Sequence, residues 1–252
     1  MKRNVLTAIY SVVHIVLSSL LLYIATSLYI QYRLFDVNIW PLRLFILHIL
    51  LATIGLFLTI RLPATSRNEI ETRILPLFYI SLNVTNLPLV IPFFIHNLPF
   101  GMSFTFIARL YVVAMLFSMC LALFQSLFHV GINTGKLLQY MLLAFAFSVL
   151  VGSLIPLSVS QYPYNPTQWF FYPNFIYVPV VIGLLSVITA IMLMLKERDQ
   201  YVILRHVSMI LIVSGNSLYF TRMNNVVLLV ALILFSLGIV LGIPRQRFSQ
   251  LQ

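Results

Sequence analysis

A continuous apolar stretch of about 18 or more residues is the sequence mark of a membrane span, and it constrains a chain more than any motif. This chain is built almost entirely from such stretches. They lie at roughly 5–31, 40–60, 74–96, 103–130, 137–157, 175–195, 202–221 and 225–243, and each is near or above the ~20 residues needed to cross a bilayer. Inside hydrocarbon the backbone must satisfy its own hydrogen bonds, which a helix does within one segment. The expected fold is therefore an all-α polytopic transmembrane helical bundle of about eight spans. The connections are short, so residues 1–252 read as a single integral membrane domain with no soluble part. The run after Met1-Lys2-Arg3-Asn4 is longer than the 7–15 apolar residues of a signal peptide, and it reads as a retained first span.

Charge decides between eight spans and seven. Only 8% of the residues are charged and 61% are hydrophobic, which would leave a soluble protein with an insoluble surface. The net charge of +10 is spread singly or in short clusters between apolar runs, with no nucleic-acid-binding motif. It reads as topogenic charge held on the cytoplasmic side. With eight spans and both termini cytoplasmic, eleven of the fifteen basic residues fall inside: Lys2, Arg3, Arg61, Arg67, Arg73, Lys136, Lys196, Arg198, Arg205, Arg245 and Arg247. Arg33, Arg43, Arg109 and Arg222 fall outside. The run at 202–221 is the weakest, because it carries Ser208, Ser214, Asn216 and Ser217. Without it there are seven spans, Arg245 and Arg247 move outside, and the bias weakens. Trp40, and the aromatic residues crowding 158–174, fit the outer headgroup level in the eight-span arrangement.

Several chemistries lack their residues. The five acids, Asp36, Glu69, Glu71, Glu197 and Asp199, all fall in loops or at span ends. None is at the depth where an ion-coupled transporter holds a carboxylate. The five histidines, His14, His48, His96, His129 and His206, lie on five different spans, without the i, i+4 pairing of a metal-hydrolase helix. There is no GxSxG nucleophile motif and no Asp-rich diphosphate motif. The single cysteine, Cys120, can form no intrachain disulfide. No catalytic residues, metal site or cofactor are expected.

Polar residues inside the spans supply the candidates for binding. Arg109, His48 and Asn216 all fall in the outer half of their spans, with Arg43 one turn above His48. They suggest an outward-facing pocket for an anionic or carbonyl-bearing ligand. The plainer alternative has Arg109 snorkelling to headgroup phosphate or pairing with Asp36. In the third span Asn83 and Asn86 share a face and are followed by Pro88 and Pro92, which remove backbone donors. Such interrupted helices line cavities in some membrane proteins and are plain kinks in others. The uncharged loop 158–174, with Pro163, Pro166 and Pro173, reads as an interfacial segment or a lid. Two small-residue faces, Ala144/Ser148/Gly152 and Gly238/Gly242, suit close helix packing, within the chain or in a homodimer.

These features favour a non-enzymatic module that senses a ligand or assembles with a protein partner. The alternative is a transporter or permease subunit for a small polar or anionic solute, with an intramembrane enzyme third. No family is recognised from a motif. The segment from Lys196 through Arg205 into the last two spans resembles bacterial multi-span sensory input modules in layout alone, which implies a bacterial cytoplasmic membrane. Pro244 to Gln252 is too short for an output domain, so a sensor would signal through a second protein. The topology has a direct test. In a Cys120→Ala background, Gln250→Cys is expected to resist an impermeant thiol reagent in intact cells, and labelling there would remove the eight-span arrangement.

Overall fold

The structure, a computed structural model, describes residues 2–34, 40–60, 69–97, 104–129, 136–156, 177–221 and 224–242. No strand occurs among them. The helices are α1 (Lys2–Leu34), α2 (Trp40–Ile60), α3 (Glu69–Val84), α4 (Val90–Asn97), α5 (Phe104–His129), α6 (Leu137–Leu154), α7 (Tyr177–Lys196), α8 (Gln200–Thr221) and α9 (Asn225–Gly242). A short 3₁₀ turn, Leu87–Leu89, joins α3 to α4, and together these make one span. Eight segments are long and apolar enough to cross a membrane, and Val202–Thr221 is among them. The loop 158–174, Asp36, Arg222 and both chain ends lie outside the described residues.

Helix α3 begins at Glu69, about a turn before its apolar run. Helix α1 has 33 residues. At 1.5 Å per residue it spans about 50 Å, more than the ~30 Å of hydrocarbon.

The spans pack in a closed ring. In spatial order α2, α3, α5, α7, α8 and α9 each touch the next, and α9 returns to α2. Helix α1 lies outside the ring against α2, α3 and α4, and α6 lies outside against α5. Burial follows this plan. The third and fourth spans bury 72% and 67% of their apolar windows, whereas the spans of α6 and α7 bury 22% and present Leu142, Leu143, Leu150, Leu184, Leu185 and Met192 outward. Large exposed apolar side chains in such numbers are what a lipid-facing surface requires.

Small residues fix the closest approaches. A Cβ at Gly238 would stand 2.9 Å from both the Ile212 nitrogen and the Ser208 carbonyl oxygen, and one at Gly215 would stand 2.7 Å from the Ala231 carbonyl. Helices α8 and α9 therefore meet backbone to backbone, and Ser208 Oγ donates to the Gly238 carbonyl at 2.7 Å. At Gly152 a Cβ would meet Val113 of α5 at 2.8 Å. Ala144 and Ser148 are buried on the same face. Both small-residue faces are thus filled by neighbours within the chain. Ser126 of α5 and Ser186 of α7 meet at 3.2 Å, and Ser217 of α8 reaches Met119 Sδ at 3.7 Å.

Gly238→Ala is expected to cost about 1–3 kcal/mol, because its new carbon meets backbone that cannot turn aside. Gly242→Ala is expected to cost less, since its nearest neighbour, at 2.7 Å, is the Ser208 side-chain oxygen. Thermal unfolding midpoints in one detergent give the order.

Candidate functional site

The third span breaks where its sequence removes donors. Pro88 cannot donate to the Val84 carbonyl, nor Pro92 to that of Pro88, so an unbroken α-helix would leave orphaned acceptors. The chain turns instead at Thr85-Asn86 and runs through Leu87–Leu89 before resuming as α4. At the break the Asn86 nitrogen donates to Asn83 O at 3.0 Å, one residue short of the α-helical partner. The abandoned Leu82 carbonyl accepts from the Thr85 hydroxyl at 2.6 Å and the Asn86 amide at 3.2 Å. Asn83, Thr85 and Asn86 are all fully buried.

Asn86 then meets His48, which is also fully buried. The His48 Nδ1 lies 3.0 Å from Asn86 Nδ2, and its Nε2 lies 3.3 Å from Asn216 Oδ1. Asn216 Oδ1 only accepts, so Nε2 donates to it, while Nδ1 also lies 3.3 Å from Asn86 Oδ1. A ring proton therefore sits on Nε2, and Nδ1 faces the Asn86 amide. The remaining valences close as well. Asn86 Oδ1 accepts the Tyr219 hydroxyl at 3.0 Å, and Asn216 Nδ2 donates to the Ile212 carbonyl at 2.8 Å. The Tyr219 ring stacks on the imidazole, with centroids 3.9 Å apart and planes 11° from parallel, and Phe235 lies at 5.6 Å. One residue of α2, one in the broken span and two of α8 are tied into a single network inside the ring.

A second polar group lies one turn deeper. The Asn83 Nδ2 donates to Ser18 Oγ at 2.8 Å and to His14 Nε2 at 3.0 Å. Thr53 Oγ1 lies 3.1 Å from Ser18 Oγ and 3.2 Å from His14 Nε2. The Thr53 proton suits the Ile49 carbonyl, at 2.7 Å. Here α1, α2 and α3 meet. The Asn86-to-Asn83 backbone bond joins the two groups into one polar layer.

Arg109 is drawn elsewhere. Its Nη1 donates to the Gly152 carbonyl at 2.6 Å and to that of Ile155. The cause is Pro156, which would carry the N–H for Gly152 in a longer helix and has none. The guanidinium supplies that donor and sets positive charge at the negative end of α6. Arg43 donates to the Tyr29 hydroxyl at 3.1 Å and lies over the Tyr29 and Trp40 rings. So the structure joins His48, Asn86 and Asn216, places Asn83 in the adjoining group, and uses Arg109 to close a helix end. Among the described residues no three His, Cys, Asp or Glu side chains gather as a metal ion would require.

Tyr219, His14, Ser18 and Thr53 were not singled out by sequence. Tyr219 had a local signal, since it follows Asn216 by three residues on one helix face. His14 had one too, as an ionisable residue in the middle of the first apolar run, whereas Ser18 and Thr53 had none.

Asn86→Leu removes the Asn86 hydrogen bonds to His48 Nδ1 and the Tyr219 hydroxyl and is expected to cost about 1–3 kcal/mol for each. Tyr219→Phe removes only the bond to Asn86 Oδ1 and should cost less. Together the two should cost less than their sum, because the shared bond is lost once. Unfolding of the three variants in one detergent measures this. Compared with known proteins, the chain matches no family model, no curated protein and no solved structure.

Proposed function

We propose that this chain is a non-enzymatic membrane module that senses a ligand and passes the response to a protein partner, with the broken third span as its responsive element. The observation that carries this reading is the latch across the break. His48 and Asn216, from two other spans, hold the Thr85–Leu89 segment through Asn86. An unbroken helix offers one arrangement, whereas two half-helices joined by a turn can take a second. A ligand favouring either arrangement shifts the balance by its difference in affinity. The polar layer contains no acid among the described residues, and its hydroxyl beside an imidazole, Thr53 by His14, gives its proton to the Ile49 carbonyl, which favours recognition over catalysis. The module belongs in a cell membrane, on this reading the bacterial cytoplasmic membrane, with both termini on the basic, cytoplasmic side.

A second reading, transport, draws on the same break, because discontinuous spans supply the solute sites of several transporter architectures. The two separate in proteoliposomes holding the full chain alone. Urea, glycerol, acetate and phosphate are expected to enter no faster than into empty vesicles. Entry of any of them that is slowed by Asn86→Leu would put transport in place of sensing.

A further inference from the structure

The upper part of the polar layer is closed and the lower part is open. Around His48 each side-chain donor and acceptor of Asn86 and Asn216 has a partner. Around His14 two atoms do not: among the described residues His14 Nδ1 and Asn83 Oδ1 are buried without a hydrogen-bond partner. Both side chains have no exposed surface. The two atoms are separated by one imidazole ring, one hydrogen bond and one amide.

Their chemistry follows from the shorter of the two Nε2 contacts, the 3.0 Å one with the Asn83 amide. His14 Nε2 accepts from Asn83, so the ring proton lies on Nδ1, which is left as a donor. Asn83 Oδ1 is left as an acceptor. Rotating the amide by half a turn exchanges the roles, because Nε2 would then donate, Nδ1 would accept and the amide N–H groups would point away. Either way the pair presents one donor and one acceptor. Their hydrogen-bonding neighbours are Ser18 and Thr53, neither of them charged. An ion here would meet no counter-charge and would carry the cost of burial far from water.

We propose that His14 and Asn83 form a binding site for a small uncharged molecule that carries both a hydrogen-bond acceptor and a donor. Water has this chemistry, and so does a primary amide. The site rests on the sensing reading only in taking a solute as its biological occupant. Its place in the fold gives it an effect. Occupancy orders Asn83, whose carbonyl holds the Asn86 nitrogen, and Asn86 holds His48. The site thus adjoins the latch without sharing a side chain with it.

The test uses the full chain in lipid nanodiscs, with ¹⁵N in the histidine rings. Acetamide and acetate are the probes, nearly equal in shape and different in charge. The His14 Nδ1 signal is expected to move saturably with acetamide and to stay fixed with acetate. Asn83→Leu should weaken the response about tenfold, as loss of one buried hydrogen bond implies. The His48 signals should keep their positions in that variant and so report an intact fold. A cross-peak from His14 to water without any response to acetamide names water as the occupant; it supports the uncharged site and removes the solute from the functional reading. A response to acetate and not to acetamide overturns the inference and leaves sensing in place. The absence of both a probe response and a water cross-peak overturns the site itself.

Discussion

A backbone carbonyl in hydrocarbon has no water to turn to, and this architecture depends on how that demand is met. Along most of the chain the helices meet it themselves. Prolines interrupt this in several places, Pro76 within α3 among them, and at two the remedy is a side chain. After Leu82 the remedies are Thr85 and Asn86, the residues of the break itself. After Gly152 it is Arg109, from a neighbouring helix. The two repairs differ in kind. Thr85 and Asn86 make the third span self-sufficient, and the Asn86 amide is long enough to meet His48 as well. Arg109 makes the end of α6 depend on α5.

The polar layer shows the same economy. An imidazole in lipid is least costly with both nitrogens occupied, and His48 achieves this with two asparagines. Ring stacking by Tyr219 leaves the imidazole one plane in which to lie. The glycine contacts of α8 with α9 serve this placement too. Gly215 sits one residue before Asn216, and the close approach there fixes the depth and rotation of the α8 face that holds Asn216 and Tyr219.

The spans were legible because hydrocarbon thickness dictates their length and composition. Span seven was hard to read for a physical reason. Ser208, Asn216 and Ser217 lower its hydropathy, yet they bond to Gly238, to Ile212 with His48, and to Met119. The residues that blurred the signal are those with partners inside the bundle. Asn83 and Asn86 stood out because an amide has too many valences to satisfy alone in a helix. Ser18 and Thr53 did not, since a helical hydroxyl can bond to its own preceding turn, as Thr26, Ser153 and Thr189 do at the lipid face. Only tertiary placement separates the two kinds. Arg109 was legible as an anomaly but not by destination. Its partner becomes apparent once Pro156 is seen to deprive Gly152 and α6 is known to lie against α5.

The pairing of His48 with Asn216 also has a history within each molecule. The two residues are 168 positions apart. At roughly 5–20 residues per second of synthesis, the imidazole enters the bilayer on the order of ten to thirty seconds before Asn216 exists. Asn86 arrives much sooner, 38 positions after His48. The nascent bundle therefore acquires one half of the imidazole's hydrogen bonding early and the other only when its penultimate span emerges. Completion of the ring is a late step of biogenesis, and in a chain halted before α8 the bond from His48 Nε2 to Asn216 is not yet made.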